Sequence, residues 1–161
     1  MTTFDRAIKF VLSAEGDISD DPLDPGGLTR YGISQRAHPD IDVAHLTKAK
    51  AINISRTRYW ATYLDRLPPP VAVAVFDTGV NLGIRPAIRL LQDTLDVTID
   101  GIVGPQTLAA AYRLDKDVFL TNYCAKRGIY YAHLGASFDR YGYGWLRRLF
   151  ALAAYCRALP A

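Results

Sequence analysis

Glu15, Asp24 and Thr29 are the residues whose types and spacing could do chemistry together in this chain. They stand in the stretch "LSAEGDISDDPLDPGGLTRYGIS", residues 12 to 34. Glu15 closes an apolar, helix-like run. A carboxyl group leaving the C-terminal end of a helix meets partial negative charge, and apolar neighbours strip it of water. Both effects favour the protonated form. An acid held protonated can hand its proton to a leaving oxygen, as cleavage of a glycosidic bond requires. Such cleavage also needs a second polar group that steers water or stabilises positive charge on the sugar. Asp24 follows across a loop and Thr29 lies in a short β-like segment. Asp20 and Asp21 are alternatives for the second role. A helix end facing a hairpin makes a cleft with a carboxylate on each wall, shaped for an extended sugar chain.

The same residues have a plainer use. Aspartates beside proline and glycine hold turns, and Gly26 and Gly27 are turn glycines on either reading. The aspartates lack the ordered ligand positions and closing glutamate of a calcium loop. Gly32 allows a close backbone approach.

Helices must position these groups. Phe4, Ala7, Ile8, Val11 and Leu12 recur at helical spacing and predict a first helix with one buried stripe. Residues 16 to 34 read as loop with a short β segment in "LTRYGIS". A helix is expected from 47 to 59, capped by Thr47, and "DRLPPP" then breaks the chain. The β-branched run "VAVAVFDTGVN" fits a strand or a buried helix, and helix is preferred here. Further helices are expected at 85 to 95, from Pro105, and at 115 to 134. "GASFDRYGYG" reads as a loop before a last helix from Trp145 to 158. The fold class is mostly α: a lysozyme-like α+β fold with a small hairpin near the N-terminus and a helical C-terminal part. Residues 1–84 form the expected catalytic lobe and 85–161 a helical lobe, packed as one body.

The chain has 161 residues, half of them hydrophobic, with 19 basic against 16 acidic side chains. That suffices for a sizeable core. A net charge of +3 gives only weak attraction to anionic matter. The basic residues are spread rather than striped, and the acidic loop would repel phosphate, so nucleic acid is not an expected partner. No run approaches the ~20 apolar residues of a membrane span. Cys124 and Cys156 lie in helix-like runs and read as buried thiols. Neither they nor the scattered His38, His45 and His133 have metal-ligand spacing, so no metal or other cofactor is expected.

The string "EG…DPLDPGGLTRYGIS" resembles the N-terminal motif of glycoside hydrolase family 108, a family of bacterial and phage muramidases that includes endolysins and secretion-activator proteins. "YW" at 59–60, "LPPPVAVAVFDTGVNLG" at 67–83 and "AIRLLQ" at 87–92 resemble its lysozyme-fold core. "DGIVGPQTLAA" at 100–110 is similar to its C-terminal peptidoglycan-binding portion, and "YGYGWLRRL" at 141–149 to its ending. The resemblance implies hydrolysis of the β-1,4 bond between N-acetylmuramic acid and N-acetylglucosamine, with the catalytic glutamate at Glu15. Where the family commonly has a second glycine, this chain has Asp17, a charge able to raise the Glu15 pKa. The order Glu15, Asp24, Thr29 is similar to that of phage lysozymes, which implies a single-step inverting reaction. A non-catalytic wall-binding protein and a lytic transglycosylase of the same fold are the alternatives.

Tyr31, Tyr59 and Trp60 offer aromatic faces for sugar rings, or for the core. Asn81 is placed to hydrogen-bond an N-acetyl group or to cap a helix. Asp77, a charge in an apolar run, needs a partner, for which Arg85 and Arg89 are the nearest choices. Arg147 and Arg148 are candidates for the carboxylates of wall peptides. The expected partner is the peptidoglycan glycan strand, met by a monomer. No signal peptide is read at the start, so synthesis is expected in the cytoplasm. Action is expected in the periplasm or outside, with release through a holin or export system.

Overall fold

The computed structural model describes residues 1–14 and 27–160. Thr2 and Asp5 start the first helix by bonding each other's backbone: the Thr2 N–H donates to Asp5 Oδ2 (2.8 Å) and the Asp5 N–H to Thr2 Oγ1 (3.1 Å). This reciprocal cap satisfies two donors that a helix start leaves unpaired. Helix α1, Thr3–Ala14, then buries Phe4, Ala7, Ile8, Phe10 and Val11, the stripe its spacing predicts.

Strands β1 (Thr29–Arg30) and β2 (Ile33–Ser34) pair antiparallel, Thr29 opposite Ser34 and Arg30 opposite Ile33. The two residues between them, Tyr31 and Gly32, have φ of 52° and 80°. Two consecutive left-handed residues make the turn that suits strand twist best, and glycine fills the second place at no steric cost. Ile33 anchors the hairpin in a small core with Val43, Leu46, Ala51 and Ile54.

Thr47 caps helix α2, Lys48–Ile54, its Oγ1 accepting from the Lys50 N–H. The expected single helix to residue 59 instead changes pitch: Ser55–Tyr59 is one π-helical turn. Prolines 69 and 70 open α3, Pro69–Leu82, which ends at Gly83 with φ 96°. Residues 70 to 79 of α3 are all buried. A helix wrapped on every side is apolar on every side, so its sequence carries no amphipathic signal.

Four more helices complete the chain: α4 (Ile84–Thr94), α5 (Pro105–Arg113), α6 (Lys116–Ala132) and α7 (Ala136–Arg157). Buried Gln92 pins the turn between α4 and α5. Its Nε2 donates to Asp100 Oδ1 (2.7 Å) and the Ile102 carbonyl (3.0 Å), and its Oε1 accepts from the Gly101 N–H (2.8 Å). Helix α7 corrects the sequence reading, because residues 136 to 144 are helix rather than loop. Gly142 is there for packing: a Cβ would sit 2.8 Å from ring carbons of Phe138.

The main core runs without a break through α1 (Val11), α3 (Phe76), α4 (Leu91), α5 (Leu108), α6 (Leu120) and α7 (Leu152). Among the described residues the molecule is mostly helical with one small hairpin near the N-terminus, as expected. Among the described residues no helix is long and apolar enough to cross a membrane.

Candidate functional site

Glu15 and Asp24 lie outside the described residues, as do Asp17, Asp20 and Asp21. Their framework is described on both sides. Helix α1 is described as far as Ala14, the residue before Glu15. The chain is described again at Gly27, and Thr29 begins the hairpin with its hydroxyl donating to the Gly27 carbonyl (3.2 Å). One proton is used in that bond, and the oxygen keeps lone pairs for another donor. Between α1 and α2 lies a groove of ≈ 510 Å³. Its lining includes Leu12 and Ser13 of α1, with Lys9 and Lys48.

Tyr31 and Tyr59 both pack against the small core beneath the hairpin. Tyr31 lies half-buried under the guanidinium of Arg30, 5.4 Å from its ring centre. The Tyr59 hydroxyl is engaged by His38 Nε2 at 2.7 Å. His38, 4 % exposed, also meets Arg58 Nη1 through Nδ1 at 2.8 Å. A guanidinium only donates, so Nδ1 is bare and the imidazole proton sits on Nε2, pointing at Tyr59. Asp40 holds Arg58 from the other side through both carboxylate oxygens. That bond keeps the Asp40 carboxyl down at about 2. Burial, then the Arg58 charge, push His38 below its ordinary value against the opposing pull of Asp40.

Trp60 stands elsewhere, inside the main core and 6 % exposed. It meets Phe4 and Phe76 edge-on at 5.3 Å each, and its indole N–H donates to Asp65 Oδ1 at 3.0 Å.

Asn81, half-buried in the last turn of α3, is the outer end of a buried chain of hydrogen bonds. Arg127 Nε donates to the Tyr131 hydroxyl (2.9 Å), and that hydroxyl donates to Asn81 Oδ1 (2.6 Å). The direction follows from the first donor: a tyrosine oxygen accepting from arginine has its own proton left to give. The Asn81 amide is thereby fixed, with its NH₂ unpartnered among the described residues. At the inner end, Arg127 Nη1 donates to Asp77 Oδ2 (2.6 Å) and Thr78 Oγ1 (3.0 Å). Arg148 takes the other carboxylate oxygen through Nε (3.0 Å) and Nη2 (2.7 Å). Burial alone would raise the Asp77 pKa, but the charges of Arg148 and Arg127 overcome it and hold the carboxyl below its ordinary value. Trp145 covers Tyr131 at 4.9 Å between ring centres.

This cluster corrects two sequence expectations. The partners of Asp77 are Arg127 and Arg148, not Arg85 or Arg89, and Arg148 turns inward to Asp77. Arg127 and Tyr131 were missed altogether. Their signal was present, because Arg127 falls on the buried helical series Phe119, Leu120, Tyr123, Arg127, Tyr131. A charge in such a series marks an interior ion pair. Among the described residues, no group of three or more His, Cys, Asp or Glu side chains could hold a metal ion.

Residues 8–83 match the family described as Glycosyl hydrolase 108, and residues 86–150 the one described as Predicted Peptidoglycan domain. Among solved structures, the chain is similar to SagA of Brucella abortus, with a TM-score of 0.88 and 34 % identity over 97 % of this chain and 94 % of that one. No curated protein matches it.

Proposed function

The chain belongs to glycosyl hydrolase family 108, and from that premise we propose that it is an N-acetylmuramidase acting on bacterial peptidoglycan, with Glu15 as general acid. It cuts the β-1,4 bond from N-acetylmuramic acid to N-acetylglucosamine. The observation that carries the reading is the match of residues 8–83, which include Glu15, to the Glycosyl hydrolase 108 family. In this role Glu15 delivers its proton to the glycosidic oxygen as the bond breaks. Asp24 directs the attacking water or stabilises the positive charge that grows on the sugar ring, and the Thr29 hydroxyl helps to hold that water. Tyr31 offers a ring face to the glycan. The Asn81 NH₂ is a donor suited to an acetamido carbonyl, and the Tyr131 hydroxyl holds it in that orientation.

The test is turbidity loss of purified cell wall under wild type and Glu15→Gln, with mass analysis of the released ends. The expected result is lysis by wild type, near-complete loss in the variant, and muramic acid at the new reducing ends. Equal lysis by both proteins rejects the role of Glu15. Anhydro ends show a transglycosylase, and binding without lysis shows a wall-binding protein.

A further inference from the structure

We propose that the outer face of α7 is a second glycan-binding surface, apart from the hydrolytic site, on which a disaccharide of a peptidoglycan strand lies across Tyr143 and Phe150 with its carboxylates toward Arg147. The inference rests on the reading of peptidoglycan as substrate. Tyr143 and Phe150 are 80 % and 76 % exposed, more than any other large aromatic among the described residues. They stand on one uninterrupted helix, Ala136–Arg157. Seven positions along a helix bring side chains back to nearly the same face, about 10 Å further along the axis. Arg147 lies between them, exposed and without a hydrogen bond or ion pair among the described residues. The exposed neighbours Gly144, Ala151 and Ala154 are small, and a Cβ at Gly144 would meet nothing within 4 Å. Both rings therefore stand clear of the helix surface.

A β-1,4-linked strand matches this layout. Successive sugars are flipped about the strand axis, so an equivalent sugar face recurs once per disaccharide, a length close to the spacing of the two rings. Aromatic faces take the apolar face of a pyranose. Muramic acid adds a lactyl group that carries a peptide stem, and a guanidinium between the rings suits those carboxylates. Tyr143, Arg147 and Phe150 all fall within residues 86–150, matched to the Predicted Peptidoglycan domain. Grip on an insoluble strand outside the cleft raises the local concentration of the bonds to be cut.

The experiment places Tyr143→Ala with Phe150→Ala, and separately Arg147→Glu, in the Glu15→Gln protein, so that the wall is not digested. Binding is read by co-sedimentation with purified insoluble peptidoglycan. The double substitution is expected to weaken binding tenfold or more, and Arg147→Glu several-fold, with thermal midpoints unchanged. In the Glu15-intact protein, the same substitutions are expected to leave hydrolysis of soluble muropeptide oligomers at the parent rate. Unchanged sedimentation overturns the proposal, as does a parent protein that does not sediment with wall. Sedimentation velocity showing that the substitutions split a dimer overturns it too, because the face would then bind a second copy. Failure of the wild type to cut soluble oligomers strikes the hydrolytic reading and leaves the sedimentation result standing.

Discussion

Asp77 on α3 and Arg127 on α6, fifty residues apart in sequence, meet at 2.6 Å with both side chains wholly shielded from solvent. Arg148 of α7 grips the same carboxylate from the other side, so one buried anion ties three helices together.

Asp77→Ala should therefore be among the most damaging single changes. It leaves two guanidiniums facing each other in the interior, a loss of about 3–5 kcal/mol for a broken buried pair. Denaturant midpoints read it directly. The carboxyl is held below its ordinary value, so its contribution is complete above the unfolded pKa of about 4 and disappears as pH falls through the lower folded one. Acid unfolding of the wild type should steepen in that window.

His38 predicts a milder effect at higher pH. Its pKa is lowered by burial and then by Arg58, so the folded protein prefers the neutral ring. That preference stabilises fully above the unfolded value of about 6.5 and is lost progressively as pH falls from there to the folded pKa. His38→Gln should flatten the stability profile across this interval. Nitrogen NMR of the ring at pH 7 should show the proton on Nε2.

Trp60→Ala should cost about 3–5 kcal/mol, the usual loss for a large aromatic cut from a core. At a temperature where the variant is folded, its KM for soluble muropeptides should equal the parent's. A raised KM at full folding would place the indole in the glycan path.

The hairpin offers a test in the opposite direction. Tyr31 occupies a left-handed position that suits asparagine far better. Tyr31→Asn should hold or raise the melting point. If the ring meets glycan, activity should fall several-fold in the same protein. Gly32→Ala, at φ 80°, should destabilise by about 1 kcal/mol or more.

What the sequence made legible is local. The stripe of α1, the Thr47 cap and the proline start of α5 each follow from residues within one or two turns, and each is present in the structure. Asp77 announced a partner, but the partner came from helices α6 and α7, and chain proximity is no guide to packing between distant helices. The start of α7 was hidden by Gly135, Gly142 and Gly144, since glycine signals both a loop and a tight contact, and only the position of Phe138 tells them apart. The π-helical turn at Ser55–Tyr59 has no composition of its own. Family resemblance, rather than periodicity, carried the catalytic assignment of Glu15.

The unbroken core across α1, α3, α4, α6 and α7 sets terms for engineering. The boundary between the two matched segments, near residues 83 to 86, falls at Gly83, where α3 hands over to α4, not in a tether. Cutting there would bare the flanks of α3 to water and strand Asp77 without its arginines. Chimeras that exchange wall-targeting halves between lytic enzymes at this seam would have to carry the facing helices along, as one would when recombining subunits of an obligate dimer.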